Sequence, residues 1–517
     1  MTKAIKERPT STDHSEVEVS RVLAAFANQQ EDREFLAEKL LKELLAEGSE
    51  NNLELMAGMN DSFVQMSGAR RFTSNYLGHM LTEVPIPALV ANLLSTELGS
   101  NTVAPEVSMV ETRLEHQSMG HILDIIGYDK EKASGTFCSG GTMANFTALA
   151  VARKEMEAKY EQAGTRFPDE VWVLTTDMAH YSIPKAVDLL GGPNHNIKIQ
   201  TLKTCGLKMS LDDLRNKIRE AESKGIPVMA IIGIMGETET GLVDDGVEIN
   251  RIACENEIFT IGDAAYGAPY RLSRVGDKFD GLPEYDAVVF DVHKNLYGPY
   301  NGSSGAVCFK DARKHAGLAK GVKANYIGIN MADKSEEFEK DRPRIAKSLI
   351  EGTAGLGSKR IEGSGGAGGI LVVKAMMDTL GREGLQTSFD MALDRINHLH
   401  ARLKESTYLR PFHDPELNLL CFTLRDDVLA KLNLDGHSEA FHCFITKTRH
   451  VLDNDFQNPG GYYFSETDLL DETDTKERKL WTWRACIMNP WTTDGILDDA
   501  VDNLEKLIFD AIEARTG

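Results

Sequence analysis

The chain has 517 residues, with 57 lysines and arginines against 79 aspartates and glutamates, and a formal net charge of −22. This acidity argues against a nucleic-acid partner or an anionic membrane surface, because the phosphates of either would repel the chain. A hydrophobic share of 42% and a charged share of 26% are typical of a globular protein and exclude a disordered or collagen-like chain. The length suffices for about three domains, or for one large α/β domain with smaller flanking parts.

The cysteines and the amino terminus indicate a cytoplasmic protein. The seven cysteines are widely spaced and form no CxxC pair, as expected for reduced, mostly buried thiols, and we predict no metal site. The stretch MTKAIKERPTSTDHSEVEVS lacks the apolar core of a signal peptide. The most apolar stretch, 84–98, contains two prolines, and no run reaches the roughly 20 apolar residues of a membrane helix.

The predicted elements begin with two stretches of helical apolar spacing, at 31–47 and 106–126. A Gly-rich turn, SGGT, then leads into a helix, MANFTALAVARKEMEAKY. Short apolar runs further along predict buried strands at 171–176, 228–235, 259–264, 287–292 and 305–310. Helices separate several of them, such as 210–223, which Ser210 is placed to cap. This alternation predicts a mainly parallel sheet covered on both faces.

The pattern of apolar residues changes again after about residue 375, where helical and short strand patterns mix. We therefore predict an N-terminal helical segment over 1–100, a large α/β domain over 101–375 and a smaller C-terminal α+β domain over 376–517.

Polar residues follow the predicted strands, at the edge where a parallel sheet binds its ligands. They are His180 and Ser182 after the first strand, Thr238 after the second, Asp263 and Ala265 at the end of the third, and His293 and Lys294 after the fourth. Each has an ordinary explanation when taken alone: a structural histidine, an acid satisfied by backbone amides, or a surface lysine. The Gly-Gly turn alone is equally ordinary.

Taken together, these residues match the needs of pyridoxal 5′-phosphate. A helix that begins at SGGT can hold the phosphate. Lys294 can form a Schiff base, and Asp263 can keep the pyridine nitrogen protonated. His180 can stack on the ring and transfer protons.

The blocks FCSGGTMANFTALAVAR, HYSIPKA, GETETGLVDD, GDAAYG and DVHKNLYGP resemble the group II pyridoxal-phosphate amino-acid decarboxylases. The resemblance runs in order from about residue 70 to 495, and the blocks YLGHM, KRIEGS and MNPWTT are most similar to bacterial pyridoxal-dependent aspartate 1-decarboxylases. It implies the pyridoxal-phosphate transferase-like fold (aspartate aminotransferase type I), with a mostly parallel sheet in a large domain beside a smaller α+β domain. It also implies a homodimer with the active site at the interface.

Residue roles follow from the same resemblance. The residues Gly140, Gly141 and Thr142 would hold the phosphate, with His293 beside it. His180 would stack on the ring, with Ser182 in the same block, while Thr238, Asp263 and Ala265 would contact the ring and Lys294 would bind the cofactor. Arg360 would bind the substrate carboxylate, with an ion pair as the alternative, and His79 would line the substrate pocket unless it is an ordinary packed histidine.

The implied activity is α-decarboxylation of an L-amino acid, most simply L-aspartate to β-alanine, through a quinonoid intermediate. Glutamate, cysteine sulfinate and aromatic substrates stay open as alternatives, as do aldehyde lyase or aldehyde synthase activity and a non-catalytic cofactor-binding role. Many relatives carry a loop tyrosine that protonates the intermediate, but the segment 327–359 contains none. Phe338 stands near the expected position, and His180 could supply the proton instead.

Overall fold

The computed structural model describes residues 14–26, 73–99, 101–104, 106–192, 196–300, 303–324, 329–331, 335–352, 357, 359–453 and 461–516. The predicted helix at 31–47 lies outside these ranges. In chain order the helices are α1 (Glu16–Ala25), α2 (Ile86–Leu98), α3 (Met109–Ile126), α4 (Gly141–Gln162), α5 (Ser182–Gly191), α6 (Leu211–Lys224), α7 (Gly246–Glu255), α8 (Ala312–Ala316), α9 (Ser335–Ile350), α10 (Gly368–Thr379), α11 (Gly381–Glu405), α12 (Asp426–Lys431), α13 (Glu439–Asp453) and α14 (Asp494–Thr516).

The strands are β1 (Ser134–Cys138), β2 (Val171–Thr176), β3 (Ile197–Leu202), β4 (Thr204–Cys205), β5 (Lys208–Met209), β6 (Val228–Ile234), β7 (Phe259–Asp263), β8 (Ala287–Asp291), β9 (Gly305–Phe309), β10 (Lys323–Ala324), β11 (Ile329–Asn330), β12 (Leu409–Pro411), β13 (Leu419–Leu424), β14 (Ser465–Leu470) and β15 (Lys479–Cys486). The five strands predicted from apolar runs are all present. Each begins at the predicted residue and ends there or one residue earlier.

The chain divides into two compact units, residues 87–386 and residues 1–86 with 387–517. The boundaries therefore differ from those expected at 100 and 375, and the segment before residue 87 groups with the C-terminal part. Backbone hydrogen bonds explain this grouping, since Leu77 donates to the Tyr463 carbonyl at 2.8 Å and its own carbonyl accepts from Cys486 at 2.7 Å.

The larger unit is built on a seven-stranded sheet of order β1-β9-β8-β7-β6-β2-β3. Neighbours from β8 to β3 pair in parallel, and β9 runs antiparallel to both β1 and β8. The strands β2, β7, β8 and β9 are buried at every residue, as their continuous apolar sequences require. The predicted α/β class with a mainly parallel sheet is confirmed.

Local sequence signals explain where several helices begin and end. The Ser210 hydroxyl accepts from the Asp213 amide at 3.3 Å and so caps α6, which ends at Gly225 with a φ of 65°. Pro87 lies in the first turn of α2, where a residue without an N–H is tolerated. Most of the apolar stretch at 84–98 therefore forms this helix. Within the described ranges, none of the helices has the length and hydropathy that crossing a bilayer requires.

The second unit carries a four-stranded antiparallel sheet of order β12-β13-β15-β14. Its core packs Phe422, Phe441 and Trp483 among aliphatic side chains from α11, α13 and α14. The aromatic rings of Phe422 and Trp483 stack with centroids 5.9 Å apart. The unit is of the α+β type, as the C-terminal sequence predicts.

Candidate active site

The predicted polar residues meet at one edge of the large sheet. Asp263 is the last residue of β7, and His293 and Lys294 directly follow β8. Because parallel strands end at the same edge, they reach a common cavity of about 290 Å³. The cavity is lined by Gly140, Gly141, Thr142, His180, Thr238, Asp263, Ala265, His293 and Lys294, among others. Nine predicted site residues are thus brought together.

Asp263 is buried and held by a neighbouring amide. Its Oδ2 accepts from Asn145 Nδ2 at 3.0 Å, and its Oδ1 accepts from the Ala265 amide at 3.4 Å. Asn145 Nδ2 also lies 3.2 Å from the Ser182 hydroxyl, while its Oδ1 is buried with no hydrogen-bond partner in the described part of the chain. The carboxylate is therefore held in one orientation. Asn145 lines the cavity, and our sequence analysis did not single it out.

His180 is fixed as a neutral imidazole with a defined tautomer. The amide of Ser182 donates to His180 Nδ1 at 3.3 Å, and the Ser182 hydroxyl lies 2.8 Å from the same nitrogen. Since an amide can only donate, Nδ1 is an acceptor and the ring proton lies on Nε2. Burial lowers the pKa of His180, and the negative charge of Asp263 opposes this shift. Ser182 does not line the cavity but contacts both His180 and Asn145, and its part in cofactor binding stays a prediction.

Lys294 and His293 share a carboxylate that our sequence analysis did not predict. Lys294 Nζ lies 3.2 Å from Asp291 Oδ2, and His293 Nε2 lies 3.7 Å from the same oxygen. His293 Nδ1 donates to the Ser304 carbonyl at 3.1 Å, and burial lowers the pKa of His293. The ring of Tyr300 packs against His293 with centroids 3.9 Å apart.

The start of α4 lines one end of the cavity. Gly140 precedes the helix and Gly141 is its first residue. A Cβ atom on Gly141 would lie 2.8 Å from Asp291 Oδ2, and one on Gly305 would lie 2.5 Å from the Gly140 backbone. Both glycines are therefore required by close approach. Free amides at a helix start bind anions, so this end of the cavity suits a phosphate.

Arg360 lies outside the cavity, and its contact with a substrate carboxylate stays a prediction. Its side chain is 3% exposed, and its Nη2 donates to Glu115 Oε1 at 2.8 Å. Nη1 donates to the Thr102 hydroxyl at 3.0 Å, and Nε donates to that of Thr136 at 3.3 Å. The guanidinium therefore serves a buried ion pair, and the ion-pair alternative describes this position.

His79 belongs to the other compact unit. It is exposed, and its Nδ1 lies 2.5 Å from the hydroxyl of Tyr76. Desolvation lowers the pKa of His79, and the charges of Arg484 and Arg449 add to this effect. Its role in substrate binding stays a prediction.

Phe338 does not lie on a loop. It is 2% exposed on α9 and packs into an apolar cluster with Ala316 and Ile345. The idea that it stands in for a loop tyrosine is therefore not supported by its position. The tyrosine that directly precedes the segment 327–359, Tyr326, lies outside the described residues.

Comparisons with known proteins agree with this geometry. The pyridoxal-dependent decarboxylase conserved domain matches residues 40–425. Aspartate 1-decarboxylase of Aliivibrio fischeri is 26% identical over 462 residues, covering 83% of this chain and 78% of the relative. L-2,4-diaminobutyrate decarboxylase of Rhizobium meliloti is 26% identical over 346 residues, covering 67% and 64%. Oryza sativa TDC, crystallised with PLP and tryptamine, has a TM-score of 0.73 at 14% identity, covering 97% of this chain and 100% of that one.

The fold and the cavity define an enzyme of the pyridoxal-phosphate transferase-like class. The chain belongs to the pyridoxal-dependent decarboxylase family, over most of its length. It is a pyridoxal-phosphate-dependent carboxy-lyase that acts on an amino acid, and the predicted family, cofactor and enzyme class are confirmed. Across the described residues no cluster of three His, Cys, Asp or Glu side chains could hold a metal ion.

Proposed function

We propose that pyridoxal phosphate binds in the cavity at the carboxyl edge of the large sheet and that the enzyme decarboxylates L-aspartate to β-alanine. The observation that carries the site assignment is the convergence of Lys294, Asp263 and His180 on one cavity above the start of α4. A buried acid, a lysine and a neutral imidazole are what this cofactor needs.

Each residue has a task in this proposal. The amides of Gly140 and Gly141, the hydroxyl of Thr142 and the ring of His293 bind the phosphate. Asp263 pairs with the pyridine nitrogen, since Asn145 holds its carboxylate at the cavity wall. Lys294 is the amine that binds the cofactor covalently. Ala265, Thr238 and His180 contact the ring.

The bound cofactor supplies an electron sink for the pair left on the substrate when its carboxylate departs as carbon dioxide. The protein supplies the charge that keeps the ring protonated and the proton that the substrate carbon receives. The charge of Asp263 favours a protonated ring nitrogen. His180 is neutral with its proton on Nε2, so to act as the proton donor it first takes up a second proton on Nδ1. It then gives the Nε2 proton to the substrate carbon and is left as a neutral ring, which makes it the candidate proton donor.

Two observations support an acidic substrate. A relative similar over 83% of this chain is an aspartate 1-decarboxylase. Within its own unit, the predicted pocket residue His79 stands beside the positive charges of Arg484 and Arg449. Arg484 Nη1 donates to the Gly78 carbonyl at 2.6 Å and Arg449 Nε lies 3.5 Å from Glu466 Oε2, so these groups support an acidic side chain through the attraction of their charge rather than through a direct contact.

The test is a panel of L-amino acids with separate detection of carbon dioxide, amine and oxygen uptake. We expect the highest kcat/KM for aspartate, with glutamate or cysteine sulfinate next. A preference for tyrosine or diaminobutyrate would overturn the substrate assignment while leaving the cofactor site intact. Oxygen uptake that matches carbon dioxide release would instead indicate an aldehyde synthase, and aldehyde release without carbon dioxide would indicate an aldehyde lyase.

We further propose a homodimer. The helix α2 exposes Val90, Leu93, Leu94 and Leu98, with Leu98 65% exposed, and an apolar surface of this kind favours contact with a second copy. Sedimentation analysis of the holoenzyme tests this, and a monomer at micromolar concentration would contradict it. The cytoplasmic location expected from the sequence stays a prediction.

A further inference from the structure

An acidic side chain lies at the phosphate-binding end of the cavity. Asp291 is the last residue of β8 and is 2% exposed. Its Oδ2 approaches the first residue of α4 so closely that a Cβ on Gly141 would be 2.8 Å from it. The carboxylate thus occupies the place beside the helix start where an anion binds best.

The Asp291 carboxylate has one cationic neighbour among the described residues. Lys294 Nζ lies 3.2 Å from Oδ2. His293 Nε2 lies 3.7 Å from the same oxygen, but this ring donates through Nδ1 to the Ser304 carbonyl and burial lowers its pKa, so it adds little positive charge. The other oxygen, Oδ1, is buried and has no hydrogen-bond partner among the described residues. The carboxylate therefore lies beside the start of α4 with the lysine as the partner that balances its charge.

A phosphate group has about 1.5 to 2 negative charges at neutral pH. When it binds at Gly140 and Gly141, it is placed against the carboxylate of Asp291, which is itself buried. Like charges this close repel strongly when water does not screen them. Asp291 cannot move far, because it ends a fully buried strand.

We propose that Asp291 competes with the cofactor's phosphate for the start of α4. Cofactor binding is therefore weak and readily reversible. The same carboxylate holds Lys294, so release of the lysine and entry of the phosphate are coupled. This inference rests on the proposed location of the cofactor, and it concerns how tightly the cofactor is bound.

The experiment compares pyridoxamine 5′-phosphate with pyridoxamine as ligands of the apoenzyme. Neither has an aldehyde, so neither can react with Lys294, and the ratio of their dissociation constants isolates the contribution of the phosphate. The variants are Asp291→Asn, which keeps the shape, and Asp291→Ala, which adds no donor. Asp212→Asn is the matched control, because it removes an exposed carboxylate of the same unit.

The preference for pyridoxamine 5′-phosphate over pyridoxamine is the dissociation constant of pyridoxamine divided by that of the phosphate form. We expect this preference to be at least about tenfold larger in both Asp291 variants than in wild type, and unchanged in Asp212→Asn. An unchanged or smaller ratio in either Asp291 variant would overturn the role of Asp291. If neither variant folds, the wild-type preference for the phosphate form decides. A preference below about a hundredfold supports the proposal, and a larger preference overturns it. If neither ligand binds wild type or variants, the cavity assignment itself fails.

Discussion

The carboxylate of Asp263, at the end of β7, is held by the amide of Asn145 on α4, with Nδ2 and Oδ2 3.0 Å apart. Asn145 is 2% exposed, so its amide has no competing contact with bulk water. The helix that begins at the phosphate-binding glycines therefore also orients the acid assigned to the cofactor ring. The two ends of the cofactor site are coupled through one helix.

The first prediction follows from this contact. Asn145→Ala leaves one oxygen of a buried carboxylate without its donor, which costs about 1–3 kcal/mol. We expect faster loss of cofactor on dialysis and a roughly tenfold weaker dissociation constant, measured by absorbance titration. The control is Thr147→Val on the same helix, whose hydroxyl donates to the Met143 carbonyl at 2.7 Å. Wild-type cofactor retention in Asn145→Ala would show that the amide does not position Asp263.

The second prediction concerns Lys294. Lys294→Ala removes the amine that we assign to covalent cofactor binding, so borohydride treatment should attach no cofactor to the protein. The matched control is Lys185→Ala, an exposed lysine on α5, which should be labelled like wild type. Mass spectrometry of the reduced protein provides the measurement. Cofactor trapped on the Lys294→Ala variant would assign the attachment to another residue.

The third prediction separates the two roles weighed for Arg360. Burial raises the pKa of Glu115, and the charge of Arg360 opposes that shift. Removing one partner of such a pair costs about 3–5 kcal/mol, because the other charge stays buried. Arg360→Met should therefore lower the free energy of unfolding by this order, measured in denaturant.

The double variant Arg360→Met with Glu115→Leu should recover most of that loss and keep a near wild-type KM. A large rise in KM in the double variant, with stability restored, would return Arg360 to substrate binding.

The fourth prediction is a pH dependence of stability in the larger unit. His315 Nε2 donates to the Lys359 carbonyl at 3.0 Å, and its Nδ1 lies 2.9 Å from the Ser134 hydroxyl. Burial lowers the pKa of His315 from 6.5 to about 4. The unfolded chain therefore binds a proton first, and stability falls as pH drops from about 6.5 to about 4.

The loss amounts to about 3 kcal/mol at the lower limit, at 1.4 kcal/mol for each pKa unit. In His315→Gln this acid-side slope should become shallower, as measured by denaturant unfolding at several pH values. Some slope should remain, because burial also lowers the pKa of His293 in the same unit. An identical slope in wild type and variant would show that His315 does not titrate on unfolding.

Much of the site could be predicted because it depends on strand ends. A polar residue that closes a buried parallel strand has to appear at the common edge, and Asp263, His180 and Lys294 all follow this rule. Asn145 could not be found in this way, since it lies inside a helix and gains its role by facing Asp263. Asp291 obeys the same strand-end rule, since it is the last residue of β8 and opens the block DVHKNLYGP. Our sequence analysis took from that block only His293 and Lys294.

Two features of the sequence were hard to interpret because they depend on distant partners or on helix length. Arg360 and Glu115 are 245 residues apart, and no local spacing connects them. Phe338 was interpreted as part of a loop, whereas α9 continues from Ser335 to Ile350 with Pro343 inside it. An internal proline usually argues against a helix, but here the apolar contacts of Phe338 and Ile345 outweigh it.

The pairing of β1 has a consequence for how the enzyme matures during synthesis. In the large sheet β1 lies at one edge and pairs with β9 alone, with Cys138 opposite Gly305. While the ribosome is still producing the intervening chain, the strand that leads into the phosphate-binding glycines has no neighbour to hydrogen-bond. Contacts between strands so far apart in sequence form late, because the loop between them must first be ordered. We therefore expect the phosphate-binding start of α4 to become ordered only after residues 305–309 have been synthesised.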